Sequence, residues 1–385
     1  MAAKYDCEDV GVPSGDGGLK ERQYGKEPKG RRTLKPIADF RSDTVTRPDK
    51  SMRAAMASAE VGDAVFDECP TSKRLEAFAA EILNKEAALF FPTGTQSNLA
   101  GLMTHCGRGD EYIVGQMAHT YRNEGGGAAV LGSIQPQPLP NETDGTISLE
   151  AITAAIKPDD FHNAVTRLLA LENTFNGLAL PDSYLEDATD LARAGGLATH
   201  LDGARLMNAA VESGRDPAWI AGRFDTVSLC LSKGLGAPVG SVLAGPRQLI
   251  EKARRIRKML GGGMRQSGIL AAAGIHALER NVTRLREDHE RAARLAEILS
   301  RFPELGAGKA QTNMVFMSPR KADVGELVSF LADRGIAVGG GYGTLRWVTH
   351  LDVDDVSIAR VESACSEFFD NERKPHNSAE PSTPE

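Results

Sequence analysis

Short motifs that can do chemistry stand at the ends of apolar runs in this chain. The segment PTGTQSN, residues 92–98, follows the apolar run AALFF and opens a helical pattern. Its glycine and small hydroxyl residues free backbone N–H groups, and the helix dipole adds partial positive charge, so the segment can hold a phosphate. A simple turn with a helix N-cap is the alternative for this motif alone.

Two further motifs carry arginine. In HLDGAR, residues 200–205, Asp202 ends a predicted strand and Arg205 lies three residues later, which is also compatible with a plain ion pair. In RKMLGGGMRQSG, residues 257–268, three glycines precede Arg265. This glycine loop can bring backbone and guanidinium close to an anion, although a flexible interdomain linker would have a similar composition.

The segment SLCLSKGLGAPVGSVLAG, residues 228–245, places Lys233 at the end of an apolar strand. Partial burial there would lower the pKa of the lysine, and the neutral amine could then attack a carbonyl group. The alternative is a lysine that extends its ammonium group to solvent.

Together these motifs contain the groups that pyridoxal phosphate requires. The cofactor aldehyde needs an amine, its pyridine nitrogen needs a carboxylate, and its phosphate needs N–H donors. Lys233, Asp202 and the TGT turn at 93–95 would supply them in that order. Because all three occur together, the sequence predicts a pyridoxal phosphate site.

The elements that must position these residues alternate between strands and helices. Continuous apolar runs of this kind are typical of a parallel sheet covered by helices on both faces; they are AALFF, YIVG, RLLALE, LATHLD, TVSLCLS and SVLAG. The pattern predicts an α/β fold, with a large domain over residues 37–266 and a smaller α+β domain over 267–371. Residues 1–36 and 372–385 are predicted to be flexible tails.

Composition excludes several classes of protein. The 385 residues include 45 basic and 52 acidic side chains, a net charge of −7, which predicts no nucleic-acid partner. No apolar stretch is long enough to cross a membrane. Five dispersed cysteines without CxxC spacing predict reduced thiols in a cytoplasmic protein, and the eight histidines show no metal-ligand spacing, so no metal site is expected.

The chain resembles the low-specificity L-threonine aldolases of the β-eliminating lyase group. The resemblance extends from about Phe40 to Leu351 and is carried by FRSDTVTRP, EVGDAVF, FFPTGTQSNL, HCGRGDEYIVG, AAVLGSIQPQPLP, LENTFNG, HLDGARLMNA, SLCLSKGLGAPVGS, RKMLGGGMRQSGILAAAG, QTNMVF and LRWVTHLD. It implies an aspartate-aminotransferase-like fold of fold type I, usually a homotetramer built from dimers whose sites are completed across the interface. It also implies a lyase that cleaves L-threonine, L-allo-threonine and related β-hydroxy-α-amino acids to glycine and an aldehyde.

The resemblance assigns cofactor roles to matching residues. Lys233 would form the Schiff base with pyridoxal phosphate, and Asp202 would pair with the pyridine nitrogen. Gly94 and Thr95 would bind the phosphate, and Arg265 would reach a phosphate from a neighbouring chain.

The resemblance also assigns substrate roles. Ser42, Arg205 and Arg346 would hold the substrate carboxylate, with Arg205 also among the cofactor-binding residues. His119 would stack on the cofactor ring, and His162 would lie near the substrate hydroxyl. The base that removes the hydroxyl proton would be His119, His162 or a water molecule that they hold, although either histidine could be purely structural.

Three positions depart from the family pattern. Phe66 replaces a tyrosine and Asp67 the following glycine, while Phe175 replaces a histidine in ENTHNG. The two changes to phenylalanine together predict a less polar pocket and a preference for a bulkier or more apolar β-substituent. The alternative function is a related pyridoxal phosphate lyase or an aldol synthase that acts on a bulkier β-hydroxy amino acid in specialised metabolism. A cofactor-binding or regulatory protein that does not catalyse a reaction is a second, non-enzymatic alternative.

Overall fold

The computed structural model describes residues 37–319, 324–341 and 344–373. Of the two predicted tails, residues 1–36 and 374–385 lie outside the described residues. The last described helix ends at Arg373, two residues beyond the predicted end of the small domain. No helix in the described part of the chain is long and apolar enough to cross a membrane.

Eleven strands form two sheets in the part of the chain that the structure describes. They are β1 (Ala38–Phe40), β2 (Ala87–Phe91), β3 (Asp110–Gly115), β4 (Gln135–Leu139), β5 (Val165–Glu172), β6 (Ala198–Gly203), β7 (Thr226–Cys230), β8 (Ser241–Gly245), β9 (Met314–Met317), β10 (Ile336–Gly341) and β11 (Thr344–Val348).

Fourteen α-helices cover or connect them within the described residues. They are α1 (Lys50–Ala57), α2 (Pro70–Ile82), α3 (Gly94–His105), α4 (His119–Arg122), α5 (Gly127–Val130), α6 (Leu149–Ala155), α7 (Asp182–Ala194), α8 (Leu206–Ser213), α9 (Pro217–Ala221), α10 (Arg247–Met259), α11 (Gly268–Arg280), α12 (Leu285–Ser300), α13 (Val324–Asp333) and α14 (Asp355–Arg373).

The larger sheet has the strand order β2-β8-β7-β6-β5-β3-β4, and only β8 runs antiparallel to its neighbours. This confirms the predicted fold class, a mainly parallel α/β sheet. β7 and β8 are buried along their full lengths, which explains their unbroken apolar sequences. β4, with the sequence QPQPL, was not predicted as a strand, and its two prolines are tolerated because it forms the sheet edge.

The smaller sheet has the order β1-β10-β11-β9 and buries its own apolar cluster, in which Phe40 packs edge-on against Trp347 with ring centroids 5.3 Å apart. Two elements, β1 and α11, pack against the other predicted domain. The domain boundaries themselves stay a prediction. β1 precedes the large domain in sequence but pairs in parallel with β10. α11 follows residue 266 but contributes Ala271 and Leu278 to the core of the larger sheet.

The carboxyl ends of β5, β6 and β7 lie side by side, since these strands are parallel neighbours. The chain therefore brings the residues that follow these strands together at the carboxyl end of the sheet, where ligands bind in open α/β folds. The predicted site residues Asp202 and Lys233 lie at this end.

Candidate active site

Two carboxylates and one lysine stand at the ends of three neighbouring strands. Glu172 ends β5 and is in register with Asp202 in β6, so both side chains lie on the same face. Lys233 follows β7 after a two-residue extension, and its carbonyl oxygen accepts a hydrogen bond from the Thr46 hydroxyl at 2.9 Å. The structure thus brings together the predicted amine and the predicted carboxylate.

Asp202 is 4% exposed and is held by donors on both oxygens. Its Oδ1 accepts the Ala204 N–H at 3.0 Å, and its Oδ2 accepts the Asn98 side-chain amide at 2.9 Å. These two donors, one on each oxygen, hold the carboxylate in a single orientation. Such a carboxylate suits the protonated pyridine nitrogen of the predicted cofactor.

The residues predicted to bind the phosphate lie in the first turn of α3. Thr93 caps this helix by accepting the Gln96 N–H at 3.1 Å, and Gly94 and Thr95 form its first residues. A Cβ atom added to Gly94 would meet nothing within 4 Å, so open space lies above the turn. The first N–H groups of a helix lack intrahelical partners and attract anions, which fits a phosphate at this position.

His119 begins α4 and is tied to two carboxylates. Its Nδ1 bonds Glu124 Oε1 at 2.8 Å, and its backbone N–H donates to Glu172 Oε2 at 2.8 Å. The hydrogen bond to Glu124 raises the pKa of His119. Burial, and then the charge of Asp202, raise the pKa of Glu172 to about 7.

Possible ligand atoms of His119, Glu124 and Asp202 lie within 4.8 Å of one another. The Asn98 amide donates to both carboxylates, at 2.9 Å each, so a hydrogen-bonded bridge accounts for their proximity. Neither Glu124 nor Asn98 was predicted as a site residue from the sequence.

Arg205 forms a buried two-pronged ion pair with Asp43. Its Nε and Nη2 donate to the two carboxylate oxygens at 2.7 Å each, and Asn313 donates to Asp43 Oδ2 at 3.3 Å. Asp43 is fully buried; burial opposes its ionisation, but the charges of Arg205 and Lys233 hold its pKa at about 2. Asp43 therefore anchors Arg205, an interaction that the short motif HLDGAR could not reveal.

Arg346 approaches the same corner of the site from β11. Its Nη2 donates to the Arg41 carbonyl oxygen at 3.3 Å, one residue before Ser42, and burial together with the nearby Arg205 charge lowers its pKa. The Asp43 charge lies near both guanidinium groups. Two guanidinium groups thus lie near the single buried carboxylate of Asp43, an arrangement that is suited to a second carboxylate from a ligand.

Two predicted site residues lie apart from this cluster in the described single chain. His162 is 70% exposed, bonds Asp160 through Nδ1 at 2.7 Å, and stacks beside Phe161. Arg265 donates to Asp63 at 3.1 Å and lies over the Phe66 ring. The roles of both residues stay predictions.

The two aromatic departures from the family pattern occupy different environments. Phe66 is 70% exposed in the loop between α1 and α2. Phe175 is 8% exposed and belongs to the core, where it packs against Gly145. Phe175 lines a small pocket together with Glu172, whereas Phe66 presents its ring at the surface beside Arg265.

Sequence reasoning missed Asp43, Asn98, Glu124 and Glu172. Glu172 carried a usable signal, since it ends the apolar run RLLALE just as Asp202 ends LATHLD. The other three have partners far away in sequence or in irregular segments, so no spacing rule could have found them.

Comparison with known proteins places the chain among related sequences and folds. Residues 39–322 match the model of a family described as "Beta-eliminating lyase". The chain is 52% identical, over 86% of its own length and 99% of the relative's, to the low specificity L-threonine aldolase of Escherichia coli O157:H7. It is 44% identical to low-specificity L-threonine aldolase 1 of Arabidopsis thaliana, over 81% of this chain and 90% of the relative.

Among solved structures, a threonine aldolase of Leishmania major superposes on the chain with a TM-score of 0.73. The two are 21% identical, and the alignment covers 86% of this chain and 99% of the other. This likeness supports the fold alone.

Proposed function

Since this chain belongs to the beta-eliminating lyase family, we propose that it is a pyridoxal phosphate-dependent aldolase. It cleaves L-threonine, L-allo-threonine and related β-hydroxy-α-amino acids to glycine and an aldehyde. The observation that carries this proposal is the 52% identity to a low specificity L-threonine aldolase over 99% of that enzyme's length. An amino-acid substrate and a lyase reaction follow from the same relationship.

The residues present fit the cofactor at each of its functional groups. Lys233 supplies the amine, the buried Asp202 supplies a carboxylate with both oxygens already held, and the open first turn of α3 at Gly94 and Thr95 supplies N–H donors. When bound, pyridoxal phosphate provides an electron sink for the carbanion left by bond cleavage. The exposed part of the His119 ring would cover one face of the cofactor.

Arg205 and Arg346 bind the substrate carboxylate, for which two neighbouring guanidinium groups are suited. Asp43 accepts the Nε–H and one Nη2–H of Arg205, so a second carboxylate would meet the remaining N–H groups on Nη1 and Nη2. Arginine suits this role because its planar group fixes the orientation of a carboxylate. A fixed carboxylate determines which bond at Cα is cleaved, and Ser42, beside Arg41, adds a hydroxyl to the same corner.

His119 is the base that takes the β-hydroxyl proton in this proposal. Its Nδ1 is engaged by Glu124, which leaves Nε2 as the nitrogen that can accept a proton. The Glu124 carboxylate stabilises the protonated ring and so raises its pKa. His162, alone or through water, is the alternative base if a neighbouring chain brings its exposed ring to the site.

We also propose that the enzyme is a homo-oligomer, a dimer of dimers as the resemblance implies. An exposed apolar patch supports this proposal; Val61 and Ile269 line one surface hollow, and Val65 and Phe66 lie in the same loop as Val61, each between 38% and 70% exposed. Arg265 lies within this patch, over the Phe66 ring. Association through this face would move Arg265 towards another chain, where it could reach a phosphate, and analytical ultracentrifugation would measure the mass of the assembly. The cytoplasmic location stays a prediction.

The decisive experiment combines cofactor absorbance with product detection. The purified protein, wild type and Lys233→Ala, is titrated with pyridoxal phosphate and then assayed with L-threonine and L-allo-threonine for acetaldehyde. We expect a lysine-dependent absorbance band and acetaldehyde from the wild type only, with equal circular dichroism for both. A band without acetaldehyde would favour the alternative substrate with a bulkier β-substituent, and full activity of Lys233→Ala would refute the assignment.

A further inference from the structure

A line of buried or half-buried polar side chains runs behind Asp202, away from the cofactor site. It consists of Asn98, His200, Thr226 and His105. Asn98 is 2% exposed, and His200 and Thr226 are fully buried. Buried polar groups are costly unless they are satisfied, so such a chain of contacts requires an explanation.

Asn98 is the branch point of this chain. Its Nδ2 donates to Asp202 Oδ2 and to Glu124 Oε1, both at 2.9 Å, so both amide protons are used. Glu124 in turn bonds His119 at 2.8 Å. One amide thus connects the carboxylate predicted to hold the pyridine nitrogen with the histidine predicted to cover the ring.

The direction of each remaining hydrogen bond follows from the donors and acceptors available. Both amide protons of Asn98 are engaged, so its Oδ1 can only accept a hydrogen bond, and His200 Nε2 must carry the proton that it accepts. The distance from His200 Nε2 to Asn98 Oδ1 is 3.4 Å, the longest in the chain of contacts. His200 Nδ1 then accepts from the Thr226 hydroxyl at 2.8 Å. The Thr226 oxygen accepts from His105 Nε2 at 2.8 Å, and every donor points towards Asp202.

Both histidines are kept neutral by burial, which lowers the pKa of His200 to about 3 and that of His105 to about 4. The ring of His200 also has little space to turn. A Cβ atom at Gly101 would lie 2.5 Å from His200 Cε1, so the helix α3 backbone closes one side of the ring. A single neutral tautomer in a single orientation is the result.

We propose that Asn98, His200 and Thr226 are positioning residues for the cofactor. They hold the Asn98 amide so that its N–H groups, rather than its oxygen, face Asp202 and Glu124. A reversed amide would place its oxygen against two carboxylates and would leave Asp202 Oδ2 without the donor that Asn98 now supplies. This inference rests on the proposed function only in naming the cofactor; the direction of the hydrogen bonds is a property of the protein alone.

The first test measures the tautomer of His200 in the cofactor-free protein. Long-range proton–nitrogen NMR of histidine-labelled protein, with His200→Gln to assign the signal, should show the Nε2–H form with no change between about pH 5 and pH 8. An Nδ1–H tautomer, or a ring that titrates in that range, would overturn the proposal without reference to activity.

The second test measures the dissociation constant of pyridoxal phosphate by titration. Thr226→Val removes the hydroxyl that donates to His200 at constant shape, whereas Thr226→Ser retains it. We expect Thr226→Val to weaken binding by about fivefold, Asn98→Leu by about 10- to 100-fold, and Thr226→Ser to remain close to wild type. Thr189→Val is the matched control, since Thr189 is equally buried but donates to the Leu185 carbonyl in α7.

The outcomes separate the two proposals. If wild type and Thr189→Val bind the cofactor and Thr226→Val binds equally well, the positioning role is wrong and the proposed function stands. Equal loss in Thr226→Val and Thr226→Ser would indicate packing alone and would also overturn it. If wild type itself does not bind the cofactor, the proposed function fails, and the His200 tautomer still decides the hydrogen-bond direction. The Thr226 pair decides the matter if Asn98→Leu does not fold.

Discussion

The substitution Asp43→Asn tests whether the buried Asp43–Arg205 pair contributes to stability. The pKa of Asp43 is lowered from its ordinary value of 3.8 to about 2. At 1.36 kcal/mol per pKa unit, this corresponds to about 2 kcal/mol of stability at pH 7. Removing the charge also leaves Arg205 buried and unpaired, so the full loss should reach about 3 to 5 kcal/mol.

The sign of the pH dependence follows from the lowered pKa. The folded protein binds the Asp43 proton less tightly than the unfolded chain, so the stabilisation is present above about pH 4 and is lost as the pH falls towards 2. The difference in unfolding free energy between wild type and Asp43→Asn should therefore narrow in acid. Urea denaturation of the cofactor-free proteins at pH 7 and in acid measures this difference in unfolding free energy.

The ion pair of Asp39, four residues earlier in β1, is a matched control. Arg41 donates to Asp39 through Nε and Nη2, at 2.9 and 2.6 Å, with the same two-pronged geometry, but the Arg41 side chain is 54% exposed. Asp39→Asn should cost less than about 1 kcal/mol because solvent screens the pair. Equal losses in the two variants, or a loss at Asp43 that does not depend on pH, would refute the argument from burial.

Three further predictions concern single side chains. Burial and the Asp202 charge raise the pKa of Glu172 to about 7, so the contribution of Glu172 to the free energy of unfolding falls as the pH rises from about 4.5 to 7. Urea unfolding should therefore show Glu172→Gln to be more stable than wild type by about 1 to 3 kcal/mol at pH 8 and equal to it at pH 4. Gly101→Ala should lower the melting temperature, because the new methyl group would meet His200 and cost about 1 to 3 kcal/mol, more than the gain in helix propensity. Phe66→Tyr should leave stability within about 0.5 kcal/mol, since the ring is 70% exposed, and should shift the kcat/KM ratio of threonine to phenylserine towards threonine; an unchanged ratio would remove the predicted link to specificity.

The sequence predicted those parts of the fold that depend on local periodicity. The runs AALFF and SVLAG coincide with β2 and β8 because buried strands need an unbroken apolar sequence. The runs around β5, β6 and β7 differ from the observed strands only at their ends. β4 was missed because its two prolines suit only a sheet edge, and edge position is decided by the other strands. The pairing of β1 with β10, about 300 residues apart, has no local signal.

The site likewise contains residues that local sequence predicts and residues that only the tertiary structure brings to it. Lys233, Asp202, Gly94 and Arg205 were predicted because each follows a strand or opens a helix, so the topology alone brings them to one edge of the sheet. Partners that reach the site from elsewhere could not be predicted, since Asp43 meets Arg205 across 162 residues and Asn98 meets Asp202 across 104. A hydrogen bond depends on positions within tenths of an ångström, and these are set by packing of the whole chain rather than by spacing along it. The sequence by itself determined the chemistry that the site can do, and tertiary packing decided the charges, tautomers and anchors with which it does so.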